Sequence, residues 1–114
     1  MTTIYGIKAC DTMKKARNWL DSKGVSYVFH DWKTDPPTAE LLTSWVARLG
    51  WEVLLNRSGT TFRKLPDADR IGIDATKAVA LMLANASAIK RPVLVTGDAL
   101  QVGFSAEAYA SLFP

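Results

Sequence analysis

The first apolar run, Thr3-Ile4-Tyr5-Gly6-Ile7, is dominated by β-branched and aromatic residues and reads as a strand. The period then changes. From Thr12 to Lys23, Met13, Ala16 and Leu20 recur at helical spacing, Asp11 or Thr12 can cap the first amides, and Gly24 supplies a left-handed stop, so the pattern predicts a helix. Ser26-Tyr27-Val28-Phe29-His30-Asp31 predicts a second strand. Strand, helix and strand in so short a span predict a βαβ unit with parallel strands and a right-handed crossover.

Two prolines in Asp35-Pro36-Pro37-Thr38 end this unit, and Thr38 can cap the next helix. Leu41, Leu42, Trp45, Val46 and Leu49 form the apolar stripe of that helix, which stops at Gly50, and Trp51 to Leu55 predicts a further short helical turn. Residues 56–64, Asn56 through Lys64, have no apolar period; small, polar and cationic, they fit either a solvated loop or one that contacts an anion. Asp74 caps a helix carrying Ala78, Val79, Leu81, Met82 and Leu83, apolar over so much of its surface that burial is expected. Val93-Leu94-Val95-Thr96 and Leu100-Gln101-Val102-Gly103-Phe104, joined at Gly97-Asp98, predict a hairpin. Ser105 caps a closing helix with Glu107 in its first turn and Tyr109 and Leu112 on its apolar side.

Composition narrows the class. A chain of 114 residues with 48% hydrophobic and 22% charged residues suits one globular domain. The net charge of +3 favours small anionic ligands, and without a basic tract interleaved with aromatics it argues against nucleic acid. One cysteine excludes an internal disulfide, the N-terminus lacks the order of a signal peptide, and no apolar run reaches membrane-spanning length, so a cytoplasmic protein with no membrane partner is expected. His30, the single histidine, has no cysteine or histidine at metal-ligand spacing; a structural role and no metal are expected.

Cys10 falls where the first strand gives way to the first helix. Helix N-terminal amides lack intrahelical partners and carry partial positive charge, which favours thiolate, the nucleophilic form of cysteine. Lys8 and Lys14 add positive charge nearby in sequence, whereas Lys15 and Arg17 suit a solvated helix face. A lone cysteine is equally at home as a small buried hydrophobe, and position alone leaves both readings open.

Tyr5-Gly6-Ile7-Lys8, Cys10-Asp11-Thr12, Lys14-Lys15-Ala16, Gly59-Thr60-Thr61 and Lys90-Arg91-Pro92 occur in the order found in the ArsC-like branch of the thioredoxin fold. Over nearly its whole length the chain resembles this group of arsenate reductases, Spx regulators and YffB-like proteins, the YffB-like group most of all. The resemblance implies an α/β thioredoxin-like fold in one domain: a mixed four-stranded sheet formed by a βαβ half at 1–35 and a ββα half at 91–114, with an all-helical insertion at 36–90. It also implies that the Arg91-Pro92 bond is cis and that Arg91 matches the arginine that arsenate reductases place beside the thiol. Asn56 stands where those enzymes carry a second arginine, and their third falls near Gly103 or Phe104, so Arg57 or Arg63 would have to substitute.

The activity implied is a glutathione-dependent thiol reductase with Cys10 as nucleophile and Lys8, Asp11, Thr12, Lys14, Arg57, Arg63, Arg91 and Pro92 as substrate or glutathione contacts. Met13 takes the second position of a Cys-x-x-Cys, so an outside thiol, glutathione or a glutaredoxin, must resolve the adduct. The expectation is therefore no bound cofactor, glutathione as co-substrate, and a monomer. Two alternatives accompany it: arsenate reduction, and an Spx-like regulator binding RNA polymerase, whose Cys-x-x-Cys switch Met13 would remove.

Overall fold

Burial alternates along Thr2–Gly6, with Thr2, Ile4 and Gly6 buried and Thr3 and Tyr5 partly exposed, as a strand in a sheet requires; this is β1. The computed structural model describes Met1–Pro114. Two units divide it, one of Met1–Asp35 with Arg91–Pro114 and one of Pro36–Lys90.

In the first unit β1 is followed by α1 (Asp11–Ser22) and β2 (Val28–Asp31), and after the helical segment by β3 (Val93–Thr96), β4 (Ala99–Val102) and α7 (Ala106–Leu112). The sheet order is β2-β1-β3-β4, with β1 parallel to β2 and antiparallel to β3, and β3 antiparallel to β4. Ile4 pairs with both Phe29 and Leu94. Ile4 and Leu94 share a fully buried cluster with Met13, Ala16 and Leu20 of α1 and Tyr109 of α7. Both helices therefore pack on one face of the sheet, and burying side chains of this size contributes on the order of 1.5–3 kcal/mol each.

The strand limits differ from the sequence pattern by a residue or two. β1 begins at Thr2 because Thr2 pairs with Thr96 and their hydroxyls hydrogen-bond at 2.8 Å. Ile7 lies past the strand, though it is buried. β2 begins at Val28, the first residue that finds a partner in β1, rather than at Ser26. The hairpin turns at Gly97, whose φ of 55° suits glycine, and β4 closes at Val102 before Gly103.

In the helical unit α2 (Ala39–Leu49) is capped by Thr38, whose side chain accepts from the Leu41 N–H, and ends at Gly50 with φ 88°. Then come α3 (Trp51–Leu54), α4 (Thr60–Arg63), α5 (Asp67–Arg70), α6 (Ala75–Ala84) and a 3₁₀ turn, Ala86–Ala88. The segment expected to be an unbroken loop, residues 56–64, contains α4, held by the buried ring of Phe62. Asp74 caps α6 as the sequence pattern predicts, accepting from the Lys77 N–H, and Ala78, Leu81 and Met82 are buried; Leu83, expected inside, is exposed. No helix is long and apolar enough to cross a membrane.

Candidate functional site

Cys10 is the N-cap of α1, with extended backbone angles of φ −88° and ψ 132°. This corrects the expectation that Asp11 or Thr12 caps the helix. Asp11 is the first helical residue, so Thr12 and Met13 occupy the second and third positions, where amides normally bind the cap side chain. The sulfur thus takes the place of a capping oxygen. It closes no capping hydrogen bond of normal geometry, yet the amides act on it electrostatically. Burial of the thiol works against ionisation. The Met13 N–H, a hydrogen bond from the Arg91 side chain, the Thr12 N–H and the positive charge of Arg91 outweigh it, and the thiol pKa is lowered from its ordinary value.

The loop before the helix is itself ordered by backbone bonds. Cys10 N–H donates to the Ile7 carbonyl at 3.3 Å, and the Cys10 carbonyl accepts from Lys14 N–H at 3.0 Å. Beneath it Met13 is fully buried against Gly6, where a Cβ would overlap its sulfur. Glycine at the end of β1 therefore lets the first turn of α1 settle on the sheet, which sets where the Met13 amide points.

Arg91 and Pro92 come from the other end of the chain. Their peptide bond is cis, Pro92 is fully buried, and Arg91 is half-buried with its side chain on the Cys10 thiol. Lys8, Asp11 and Lys14 are exposed. The sequence pattern has the lysines adding charge at the thiol, but the groups that shift it are the two amides and Arg91. Arg57 and Arg63 belong to the helical unit. There the Arg57 guanidinium lies 5.1 Å from the centre of the Trp51 ring, and Arg63 ends α4. His30 is structural in its contacts: its ring packs on Tyr5 and Trp32, and its Nε2 lies 3.1 Å from both the carbonyl and a carboxylate oxygen of Asp35.

Sequence reasoning missed the Met13 amide as a partner of the thiol. The signal was the helix frame, since moving the cap back to Cys10 puts the third-position amide on the sulfur. A βαβ unit with a thiol at the N-terminus of its first helix, continued by an antiparallel hairpin that opens on a cis proline, is a thioredoxin-like fold. The chain belongs to the ArsC family, whose model matches residues 5–112. Its structure is similar to that of a protein named YffB, at 54% identity with a TM-score of 0.95 and 97% of each chain covered. It is also similar to an arsenate reductase (ArsC) related protein from Brucella melitensis, at 53% identity and a TM-score of 0.78, covering 98% of this chain and 93% of that one. The global transcriptional regulator Spx of Streptococcus mutans is 25% identical over all of this chain and 84% of its own length.

Proposed function

We propose that this protein is a glutathione-dependent thiol reductase in which Cys10 is the nucleophile. The observation that carries the reading is a half-exposed thiol of lowered pKa, held between helix amides and the Arg91 side chain, in a chain with no second cysteine. The Cys10 thiolate attacks the glutathione sulfur of a mixed disulfide R–S–S–G. A Cys10–glutathione disulfide forms as the S–S bond of R–S–S–G breaks and R–S⁻ leaves, taking a proton from water. A second glutathione, as thiolate, attacks the Cys10 adduct, releases oxidised glutathione and restores the Cys10 thiolate. The substrate disulfide gains two electrons, and two glutathione sulfurs supply them.

Arg91 supports this reading in two ways. Its charge stabilises the thiolate that attacks and leaves, and a guanidinium suits a carboxylate of an anionic peptide. A compact oxyanion such as arsenate, the substrate class in the name of the Brucella relative, calls for several converging cations. Arg91 is the one cation found to act on the Cys10 thiol. Thiol exchange is therefore ranked above arsenate reduction.

Incubation with oxidised glutathione followed by intact-mass measurement tests the proposal. One glutathione per chain is expected, absent in Cys10→Ser and removed by reduced glutathione. A Cys10 that stays unmodified on prolonged exposure overturns the reading, as does efficient arsenate turnover without any glutathione adduct.

A further inference from the structure

An open pocket of about 370 Å³ in the helical unit is lined by Glu52, Leu55, Arg57, Ser58 and Lys90. Its two walls are pinned through the backbone. Leu55 and Ile89 form an antiparallel bridge, Asn56 N–H donates to the Ala88 carbonyl at 2.8 Å, and Lys90 N–H donates to the Leu54 carbonyl at 2.7 Å. Residues 55–58 and Lys90, far apart in sequence, are thus held side by side. Buried Leu55 supplies an apolar element amid the polar lining.

Charges of both signs line this pocket without neutralising one another. Glu52, Arg57 and Lys90 make no ion pair among themselves. Arg57 is steadied by the face of Trp51 at 5.1 Å, a contact that leaves the N–H edge of a guanidinium free to bind. Ser58 donates its hydroxyl hydrogen to the Asn56 side-chain oxygen at 3.1 Å, so its own oxygen is left as an acceptor. The pocket therefore offers two cationic donors together with a carboxylate and a hydroxyl acceptor. A simple anion would satisfy the cations and be repelled by Glu52. A simple cation would meet the reverse. A ligand bearing a carboxylate and an ammonium satisfies all four groups.

We propose that this pocket binds the zwitterionic head of an α-amino acid, its carboxylate on Arg57 and Lys90 and its ammonium on Glu52 and Ser58, with Leu55 against the first methylenes. Free amino acids and the γ-glutamyl end of glutathione both present this head. The inference rests on the helical unit alone and stands apart from the chemistry of Cys10.

Backbone amide shifts of the ¹⁵N-labelled full chain test it, using glutamate, S-methylglutathione, acetate and methylammonium as probes. S-methylglutathione is a thioether and cannot exchange with Cys10, so a failure of the thiol reading leaves this test intact. Saturable shifts at Arg57, Ser58 and Lys90 are expected, with a zwitterion binding at least about tenfold more tightly than acetate or methylammonium. Saturation by glutamate points to free amino acids, and saturation by S-methylglutathione alone points to the peptide. Glu52→Gln should abolish the preference for a zwitterion over acetate, and Arg57→Ala should weaken both. The proposal is overturned if acetate binds as tightly as either zwitterion, if Glu52→Gln keeps the preference, or if no probe gives saturable shifts at these amides.

Discussion

The side chain of Arg91 hydrogen-bonds the thiol of Cys10, although the two residues belong to opposite ends of the sequence. Sheet register brings them together. Tyr5 of β1 pairs with Val93 of antiparallel β3, so the residues just before β3 run past the end of β1, where the chain turns toward Cys10 and α1. A guanidinium at the start of one strand is thereby delivered to a thiol that comes just after its neighbour.

Removing that guanidinium withdraws both a hydrogen bond and a positive charge from the thiolate. Arg91→Ala should raise the Cys10 pKa and slow alkylation at neutral pH several-fold, and Arg91→Lys should fall between it and the native protein. The pH dependence of iodoacetamide alkylation measures this. A profile unchanged from the native one would show that the helix amides alone set the thiol.

The lowered thiol pKa also links stability to pH. The folded chain releases the Cys10 proton at a lower pH than the unfolded chain, whose thiol titrates at roughly 8.5. Between those two values the unfolded state binds more protons, so stability rises with pH. Urea unfolding should show the native protein gaining on Cys10→Ser as pH climbs through that window. The difference should level off above the unfolded value, and the gain should be lost as pH falls through the folded one.

Local chemistry carried most of the fold in the sequence. Thr38, Asp74 and Ser105 cap the helices their positions predict, each accepting from the amide three residues on, because an oxygen at that position has a specific partner to satisfy. Met13, Ala16 and Leu20 are buried together because a helical period can only bury one face. The first cap escapes the pattern because sulfur is no usual capping atom and Asp11 and Thr12 both are good ones. α4 and α5 are invisible in the sequence because four residues make one turn and show no period. Arg91 could be assigned to Cys10 only by resemblance, since the partner of a thiol in a sheet fold is set by strand order, and strand order is not a local property.

Packing beneath the thiol gives a test of its support. A Cβ on Gly6 would overlap the Met13 sulfur, and Met13 is fully buried, so the side chain has little room to yield. Gly6→Ala should cost about 1–3 kcal/mol in urea unfolding. In the Met13→Ala background the same substitution should cost much less, because its clash partner is gone. Additive effects in that double-mutant cycle would rule out the contact as the cause.

Tyr109 is buried among Trp19 and Phe104, and its hydroxyl finds no hydrogen-bond partner; burial raises its pKa far above the ordinary value. A buried hydroxyl left unpaired costs about 1–3 kcal/mol. Tyr109→Phe keeps both edge-to-face ring contacts and removes that penalty, so the variant should be more stable than the native protein by about 1 kcal/mol. A lower urea midpoint for Tyr109→Phe would mean that the hydroxyl has a partner after all.

Met13 decides who resolves the adduct proposed for Cys10. It occupies the third helical position, its amide acts on the thiol, and its side chain is buried. A cysteine in its place would therefore start from a backbone already beside the sulfur. Met13→Cys should form an internal disulfide with Cys10 on oxidation and leave little of the glutathione adduct, because the second thiolate attacks at high effective concentration while free glutathione must arrive by collision. The reduced variant should be less stable by about 1–3 kcal/mol, since the shorter side chain leaves a gap against Gly6. Intact mass after oxidised glutathione distinguishes the outcomes. Loss of two hydrogens with no added glutathione is expected. A Met13→Cys protein that keeps a stable glutathione on Cys10 would show that the buried third position cannot reach the thiol, and that more than this methionine keeps the native protein dependent on an outside thiol.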